Sequence, residues 1–287
     1  MTTSPFLAPP PRLLIEPLVR GALLEDLGRA GDVTSDAIAP EGLKTRAVLA
    51  ARQAGVVAGL DLARLAFELI DPRVAFKALR PDGAHVSAGE TIAVVEGPAR
   101  GVLTGERTAL NFLSHLSGVA SVTAAIVASI AAYRTRVVCT RKTTPGLRAV
   151  EKYAVRAGGG ANHRFGLDDA MLIKDNHIAI AGSVTQALRR AKAAAGHLVK
   201  IELEVDSLDQ LREGLREEVD AVLLDNMTPA MLREAVVIAA GRATTEASGR
   251  ITPASAPEIA ATGVDVISVG WLTHSAPILD IGLDFEG

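Results

Sequence analysis

The sequence contains little that would cross-link the chain or give it a strong charge. Only Cys139 of the 287 residues is a cysteine, which excludes an internal disulfide and any zinc or iron–sulfur site built from several cysteines. Lys and Arg total 30 against 33 Asp and Glu, a net charge of −3, so nothing in the charge favours nucleic acid as a partner. Apolar residues at 48% and charged residues at 22% exclude a disordered or collagen-like chain.

The sequence also lacks a recognisable secretory signal and a strong membrane span. The opening MTTSPFLAPPPR has no apolar core after a basic flank, so we expect a cytoplasmic protein with no membrane partner. Residues 116–133 carry no charge across eighteen positions, but they are mostly Ala, Ser, Thr and Gly, which insert poorly. We therefore predict a buried helix here. Its core-facing stripe is predicted to be Val119, Val122, Ile126, Ile130 and Tyr133.

The sequence pattern changes near residue 110. Before it, residues 14–27 and 61–70 have helical periodicity and segments near 45–58 and 74–80 resemble strands, an α+β pattern with an open sheet. After it, strand candidates alternate with helices. These candidates are 137–140, 170–174, 199–205, 220–225, 243–247 and 264–269. The segments between these strand candidates are long enough to hold a helix, which predicts β–α units and a parallel sheet. Because there are six such units, we predict an incomplete α/β barrel.

Helix starts can be read between these strands. Ser183, Asp206 and Thr228 each precede a helical segment and are predicted N-caps, the last with Pro229 in the first turn. The strand ends also have a common chemistry. The carboxyl ends are followed by Arg141-Lys142, Lys174-Asp175-Asn176-His177, Glu204, Asp225-Asn226, Ser248-Gly249 and Gly270. Because parallel strands end on one rim, where α/β folds bind ligands, we predict one site there.

The basic residues between 139 and 164 suggest an anionic ligand. Arg141 and Lys142 directly follow a predicted buried strand, and Arg with Lys at such a place binds carboxylates or phosphates. For Arg148, Lys152 and Arg156, spaced four apart, a solvated helix face is the simpler interpretation.

The glycine-rich segment GGGANHRFG presents His163 and Arg164. Since no motif places a Ser or Cys nucleophile beside it, His163 is predicted to hydrogen-bond a substrate carboxylate rather than to act as a general base. Lys174 could form a Schiff base if desolvated, but ion pairing is favoured by its charged surroundings. Cys139 is most simply a small buried apolar residue.

Two carboxylates are predicted to meet at the same rim. In VKIELEV polar and apolar residues alternate, which places Lys200, Glu202 and Glu204 on one face of the strand. On an edge strand this face would be exposed to solvent. On a barrel strand it would point to the interior, where buried carboxylates need a cation as partner. Asp225 ends the next strand, so Glu204 and Asp225 can approach each other. Such a pair suits Mg²⁺, bound mostly through water and substrate phosphates.

Several segments resemble one known family. They are GDVTSDAI (31–38), GERTALNFLSHLSGVAS (105–121), CTRKTTPGLRAVEKYAVRAGGGANHRFGLDDAMLIKDNHI (139–178), IELEV (201–205), VLLDNM (222–227), EASGRIT (246–252) and VDVISVGWLTHSAPILDIGLDF (264–285). Together they resemble the quinolinate phosphoribosyltransferases over nearly the whole chain. The resemblance implies transfer of phosphoribosyl from phosphoribosyl pyrophosphate to quinolinate, with loss of CO₂ and pyrophosphate, in NAD biosynthesis.

The resemblance also implies an architecture and an assembly. The fold would be an N-terminal α/β sandwich over residues 1–109, completed by 277–287, and an incomplete α/β barrel of six to seven strands over 110–276. One subunit's N-terminal domain would cover the barrel mouth of its partner in a homodimer. Dimer and hexamer both remain open.

The resemblance assigns roles to individual residues. Arg141, His163, Arg164 and Lys174, with Thr140 beside them and Arg107 from the partner subunit, would bind quinolinate. Lys142, Glu204 and Asp225 would act with Mg²⁺ and phosphoribosyl pyrophosphate, Glu204 and Asp225 as the metal ligands. Ser248, Gly249, Gly270 and His274 would surround the 5′-phosphate. Arg250 and Trp271 depart from the family pattern, which usually has Gly or Asn and a small residue at these positions.

Three alternatives from other classes remain. A Schiff-base aldolase using Lys174 leaves the acidic pair without a role. A nicotinate phosphoribosyltransferase would leave the cationic cluster with only one carboxylate to bind. A biotinyl- or lipoyl-type carrier, suggested by HVSAGETIAVVEG, needs an acceptor lysine, and residues 81–99 contain none.

Overall fold

The computed structural model describes residues 7–285, and the chain divides into two compact units. The first unit comprises the chain up to Ala124, Thr143–Gly159 and the chain from Leu272. The second unit comprises Ala125–Lys142 and Gly160–Trp271.

The secondary structure follows the predicted alternation. The first elements are α1 (Arg12–Leu27), α2 (Val33–Ile38), β1 (Lys44–Ala51), β2 (Gly55–Val56), α3 (Leu60–Ile70), β3 (Ala75–Ala78), β4 (His85–Val86), β5 (Thr91–Pro98) and α4 (Ala99–Ser129). Those that follow are β6 (Arg136–Val138), α5 (Arg148–Ala157), β7 (Met171–Ile173), α6 (Asp175–Ala181), α7 (Val184–Ala194), β8 (Ile201–Val205), α8 (Leu208–Arg216), β9 (Ala221–Asp225), α9 (Pro229–Ala239), β10 (Thr244–Ser248), α10 (Ala256–Ala260), β11 (Val266–Ser268), α11 (Trp271–His274) and β12 (Ile281–Phe285).

The first unit is built on an antiparallel sheet with the order β12-β1-β5-β3. Its edge strand β12 comes from the end of the chain and pairs with β1, with Ala51 opposite Ile281. Helix α1 buries Ile15, Val19 and Leu23, a spacing of four that forms one apolar stripe. This stripe explains why α1 packs against α3.

The second unit is built on a six-stranded parallel sheet with the order β6-β11-β10-β9-β8-β7. All six strands predicted from the sequence are present, including β10, the least apolar of them. The α/β class and the parallel sheet are thus confirmed. Because parallel strands run in one direction, the carboxyl ends of all six lie on the same rim.

Short polar side chains start the helices between these strands. Ser183 Oγ accepts from the backbone N–H of Gln186, and Thr228 Oγ1 accepts from that of Met231, as predicted. The prediction of Asp206 as the next cap was wrong. The residue after it, Ser207, caps α8 by accepting the N–H of Gln210, which satisfies a free donor of the first turn.

The uncharged stretch at 116–133 lies largely within α4. This helix is long and apolar enough to cross a membrane by length and composition, but half of its most apolar window is buried inside the protein. Leu116, Val119 and Ile126 are fully buried, which confirms a core-facing stripe. Tyr133 was wrongly assigned to that stripe, because α4 ends at Ser129 and Tyr133 is 40% exposed.

Helix α5 also differs from the expectation of a solvated basic face. Lys152 is only 2% exposed and Glu151 is fully buried. Glu151 accepts from the backbone N–H of Thr144 at 3.0 Å and lies 3.0 Å from His115 Nε2. The expectation that the basic residues of α5 form a solvent-exposed face was therefore wrong, because α5 is enclosed on more than one side.

Candidate active site

The carboxyl rim of the parallel sheet in the second unit encloses a cavity of about 380 Å³. This volume lies in the range of small-molecule sites. Nine of the residues singled out from the sequence line it. They are Thr140, Arg141, Lys142, His163, Arg164, Lys174, Glu204, Asp225 and Ser248. The predicted convergence of strand ends on one site is therefore what the structure shows, while the role of each residue stays a prediction.

One wall of the cavity is cationic, with Arg141 and Arg164 close to each other. Burial, and then the positive charge of Arg141, lower the pKa of the Arg164 guanidinium. Arg164 Nη1 donates to the carbonyl of Ala170 at 3.2 Å. The Nε atoms of Arg141 and Arg164 are buried with no hydrogen-bond partner among the described residues. Two close guanidiniums with unused donors suit a carboxylate-bearing ligand.

A second wall of the same cavity carries the acidic pair. Glu204 Oε2 lies 2.9 Å from Lys174 Nζ, so the predicted ion pairing of Lys174 is confirmed. Asp225 Oδ2 accepts from the side-chain amide of Asn226 at 2.7 Å. Because Glu204 and Asp225 come from the neighbouring strands β8 and β9 and line the same cavity, their oxygens are suitable ligands for Mg²⁺.

The ends of β10 and β11 carry the predicted phosphate cup. A Cβ on Gly270 would lie 2.9 Å from Lys142 Cδ, and Gly249 has a φ of 118° beside Asn226, so backbone approaches closely at both positions. Arg250 is exposed and also has a positive φ of 44°, a region that favours Gly or Asn. The Trp271 indole donates to the Ile251 carbonyl at 2.8 Å, which fixes the chain just after Arg250.

Two predicted site residues belong to the first unit. Arg107 is an exposed residue of α4 and lines a separate cavity of about 320 Å³ together with Asp26, Asn111 and His115. His274 ends α11, is exposed, and its Nδ1 lies 2.6 Å from Ser275 Oγ. The cavity of the second unit is thus formed without them.

A buried polar cluster joins His163 and Glu202, which the sequence analysis had named, to Glu246, which it had not. His163 Nε2 lies 2.8 Å from Glu202 Oε2 and 3.7 Å from Glu246 Oε2. The backbone N–H of Arg164 donates to His163 Nδ1 at 2.8 Å. Since Nδ1 accepts, the proton of the neutral imidazole is placed on Nε2, where it points to Glu202.

Glu246 and Ser268 both line the cavity. Glu246 is 5% exposed, and its Oε1 and Ser268 Oγ are buried with no hydrogen-bond partner among the described residues. Burial, followed by the negative charge of Glu202, raises the pKa of Glu246 to about 7. Both residues could have been predicted from the alternation of side chains along a strand. Glu246 lies two positions before Ser248, and Ser268 lies two positions before Gly270, so each is expected on the same face as the rim residue that follows it.

Known proteins resemble this chain over nearly its full length. The family models for the C-terminal and N-terminal domains of quinolinate phosphoribosyl transferase match residues 119–284 and 32–117. The chain belongs to this family. A nicotinate-nucleotide pyrophosphorylase (carboxylating) of Mycobacterium leprae is 46% identical over 93% of this chain and 95% of its own length. A probable enzyme of the same name from Bacillus subtilis is 44% identical over 95% and 93%.

The structural relatives agree with the sequence relatives. The nicotinate-nucleotide pyrophosphorylase of Francisella tularensis superposes with a TM-score of 0.94 at 39% identity, covering 99% of this chain and all of its own. The fold of this chain is therefore that of a quinolinate phosphoribosyltransferase.

Proposed function

We propose that this member of the quinolinate phosphoribosyltransferase family converts quinolinate and phosphoribosyl pyrophosphate to nicotinate mononucleotide, CO₂ and pyrophosphate in NAD biosynthesis. The observation that carries the proposal is the composition of the rim cavity. One wall is cationic and holds unused guanidinium donors, and a second wall presents two carboxylates on adjacent strands. A ligand pair with carboxylates on one partner and metal-bound phosphates on the other matches both walls.

Arg141, Arg164 and Lys174 would bind the two carboxylates of the pyridine ring. Arg forks bind carboxylates bidentately, and the buried Nε atoms of both arginines remain free for such a ligand. Thr140 and His163 line the same cavity and complete this wall. Leu172 and Leu223 lie in the lining as well and offer apolar contact to the ring.

The acidic wall would bind the second substrate. Glu204 and Asp225 would hold Mg²⁺, and Lys142 would contact the phosphates. When bound, Mg²⁺ neutralises charge on the departing pyrophosphate. The 5′-phosphate would lie against Ser248, Gly249 and Gly270, where close backbone approach is possible; His274 is proposed to join them.

The chain's own residues would then orient the reaction. The cationic wall holds the pyridine nitrogen toward the ribose carbon that loses pyrophosphate, and the nitrogen attacks this oxocarbenium-like centre. Glu204 and Asp225, which line the same cavity, would stabilise the positive charge on the sugar. Once alkylated, the nitrogen is cationic and stabilises the carbanion formed when the adjacent carboxylate leaves. No covalent intermediate with the protein is required.

We propose a homodimer in which Arg107 of one subunit completes the site of the other, with a hexamer as a further possible assembly, in the cytoplasm. We also propose a domain division into residues 1–109, completed by 277–287, and 110–276. The pairing of β12 with β1 supports the assignment of the chain's end to the N-terminal domain.

The testing experiment supplies phosphoribosyl pyrophosphate, Mg²⁺ and either quinolinate or nicotinate, and follows CO₂, pyrophosphate and mononucleotide together. Equal amounts of all three from quinolinate alone are expected. Mononucleotide from nicotinate without CO₂ would contradict the proposed dicarboxylate wall. If neither substrate reacts while borohydride traps a carbonyl compound on Lys174, the chain is instead a Schiff-base enzyme.

A further inference from the structure

We propose that Glu246 is the catalytic acid that protonates the pyridine carbon left behind when CO₂ departs. The inference rests on the proposed function and adds a residue to it. The proposed reaction ends with a carbanion beside the cationic ring nitrogen, and this carbanion must receive a proton. The residues given roles so far bind substrates and metal, so none of them supplies this proton.

The lining of the cavity leaves few candidates for the donor. Arginine does not release its proton in proteins, and serine and threonine hydroxyls are too weakly acidic. Lys174 is engaged with Glu204, and both it and Lys142 are needed as cations. The proton on His163 Nε2 is directed to Glu202. The remaining acid is Glu246, which lines the cavity with an unpartnered Oε1.

Strand geometry places Glu246 in the lining of the cavity. Glu202 and Glu246 come from β8 and β10, on either side of β9, and alternate strands of a barrel contribute the side chains of one interior layer. Glu246 lies two residues before Ser248, so it faces the same side from one layer deeper. It therefore lies at the bottom of the cavity, beside Leu223 of β9.

The surroundings of Glu246 favour its acid form. The charged or titratable groups facing it are Glu202 from β8 and His163 from the loop before β7, and Ser268 of β11 is a neutral neighbour in the lining. Burial and the charge of Glu202 raise the pKa of Glu246 to about 7, with an opposing contribution from His163. A carboxyl group poised near the working pH is suited to general acid catalysis.

Proton transfer to the ring carbon follows the loss of CO₂. The bond between the ring carbon and its carboxylate breaks, CO₂ leaves, and the electron pair stays on the carbon. The carbon then forms a bond to the carboxyl proton of Glu246, while the O–H electron pair remains on Glu246 as a carboxylate. Water returns one proton to Glu246 before the next turnover.

His163, Glu202 and Glu246 could instead bind a metal ion, because their ligand atoms lie within 4.8 Å of one another. The hydrogen bond arrangement argues against this. His163 Nδ1 already accepts the N–H of Arg164, and Nε2 carries the proton directed to Glu202. A metal on Nε2 would have to displace that proton.

The test is a single-turnover comparison of wild type with Glu246→Gln, following pyrophosphate, CO₂ and mononucleotide from quinolinate. Gln has the shape of Glu but no acidic proton. We expect the pyrophosphate burst to be retained while mononucleotide formation slows by about 10²–10⁴-fold. The adduct that keeps both carboxylates should accumulate. Glu246→Asp should recover part of the rate, and Glu258→Gln, outside the cavity lining, serves as the matched control.

The pH profile separates an acid from a purely structural residue. A general acid must be protonated, so the wild-type rate of mononucleotide formation should fall as the pH rises through about 7. The Glu246→Gln variant should not show this fall.

An unchanged rate and pH profile in Glu246→Gln overturns the proposal, as does loss of the pyrophosphate burst together with the later step. If the variants do not fold, the absence of a solvent deuterium effect on the wild-type step after the burst overturns it. A wild type that releases no CO₂ from quinolinate overturns the proposed function first and this inference with it.

Discussion

Lys174 Nζ and Glu204 Oε2 lie 2.9 Å apart, so a single salt bridge joins the residue proposed for the dicarboxylate to one proposed for the metal. A ligand bound by either partner would compete with this contact for the same charge. The two substrate halves of the cavity are therefore coupled through this one contact.

We predict that Glu204→Gln changes the two affinities in opposite directions. Quinolinate alone should bind up to about fivefold more tightly, because Lys174 is no longer paired and a half-exposed salt bridge of this kind is worth at most about 1 kcal/mol. Magnesium-loaded phosphoribosyl pyrophosphate should bind more weakly. Calorimetric titration of each ligand separately measures both. Asp220→Asn, which removes the partner of Lys200 outside this cavity, should change neither affinity; weakening of both ligands by Glu204→Gln would contradict the coupling.

Arg141→Ala should weaken quinolinate far more than phosphoribosyl pyrophosphate. A charge-assisted hydrogen bond is worth about 1.5–3 kcal/mol, which corresponds to a rise of about 10–150-fold in the KM for quinolinate. Arg141→Lys should restore only part of it, because Lys lacks the bidentate fork. Steady-state kinetics with each substrate varied in turn provides the measurement. Equal increases in both KM values would refute the assigned role.

The same substitution at two helical glycines should have opposite effects on stability. A Cβ on Gly118 of α4 would clash with the Pro277 carbonyl and lie 2.9 Å from Ile278 Cα, so Gly118→Ala should destabilise the fold by about 1–3 kcal/mol. Gly21 of α1 has nothing within 4 Å of the added atom. Gly21→Ala should therefore stabilise the fold by about 0.5–1 kcal/mol. Denaturant unfolding of both variants measures the difference, and a loss at Gly21 as large as that at Gly118 would show that contact with Pro277 is not the cause.

A buried acid in the first unit should give a pH-dependent stability. Tyr153 Oη donates to Asp82 Oδ2 at 2.7 Å, and burial raises the pKa of Asp82 above its ordinary 3.8. The folded protein thus holds this proton more tightly than the unfolded chain. The stability from this group is complete below pH 3.8 and is lost as the pH rises through the raised pKa.

Asp82→Asn removes this titration while keeping an amide that can pair with Tyr153. Its free energy of unfolding relative to wild type should therefore increase from pH 4 to pH 7. Denaturant unfolding at several pH values provides the comparison. The control is Asp209→Asn, since the Asp209 side chain is 95% exposed. A difference between Asp82→Asn and wild type that does not vary with pH would rule out the proposed linkage.

The sequence predicted the six parallel strands and most of their rim residues, because apolar runs, helix caps and strand-end charges are local signals. It failed to predict that Lys152 is buried, because basic residues spaced four apart can occur on a solvent-exposed helix and on an enclosed one. It also failed to predict that Glu202 lies close to Glu246. These residues come from β8 and β10, which are not adjacent but lie on either side of β9. Residues such as these depend on contacts between distant segments, which no local pattern specifies.

The pairing of β12 with β1 has a consequence for synthesis on the ribosome. Strand β12, which borders β1, follows every other described strand along the chain, so the first sheet to be started is among the last to be finished. Until Ile281–Phe285 emerges, the nascent chain carries one edge of β1 uncovered, and an unpaired strand edge invites association with other chains. A chain that lacked Ile281–Phe285 would thus contain every strand of the parallel sheet but would leave its amino-terminal sheet open.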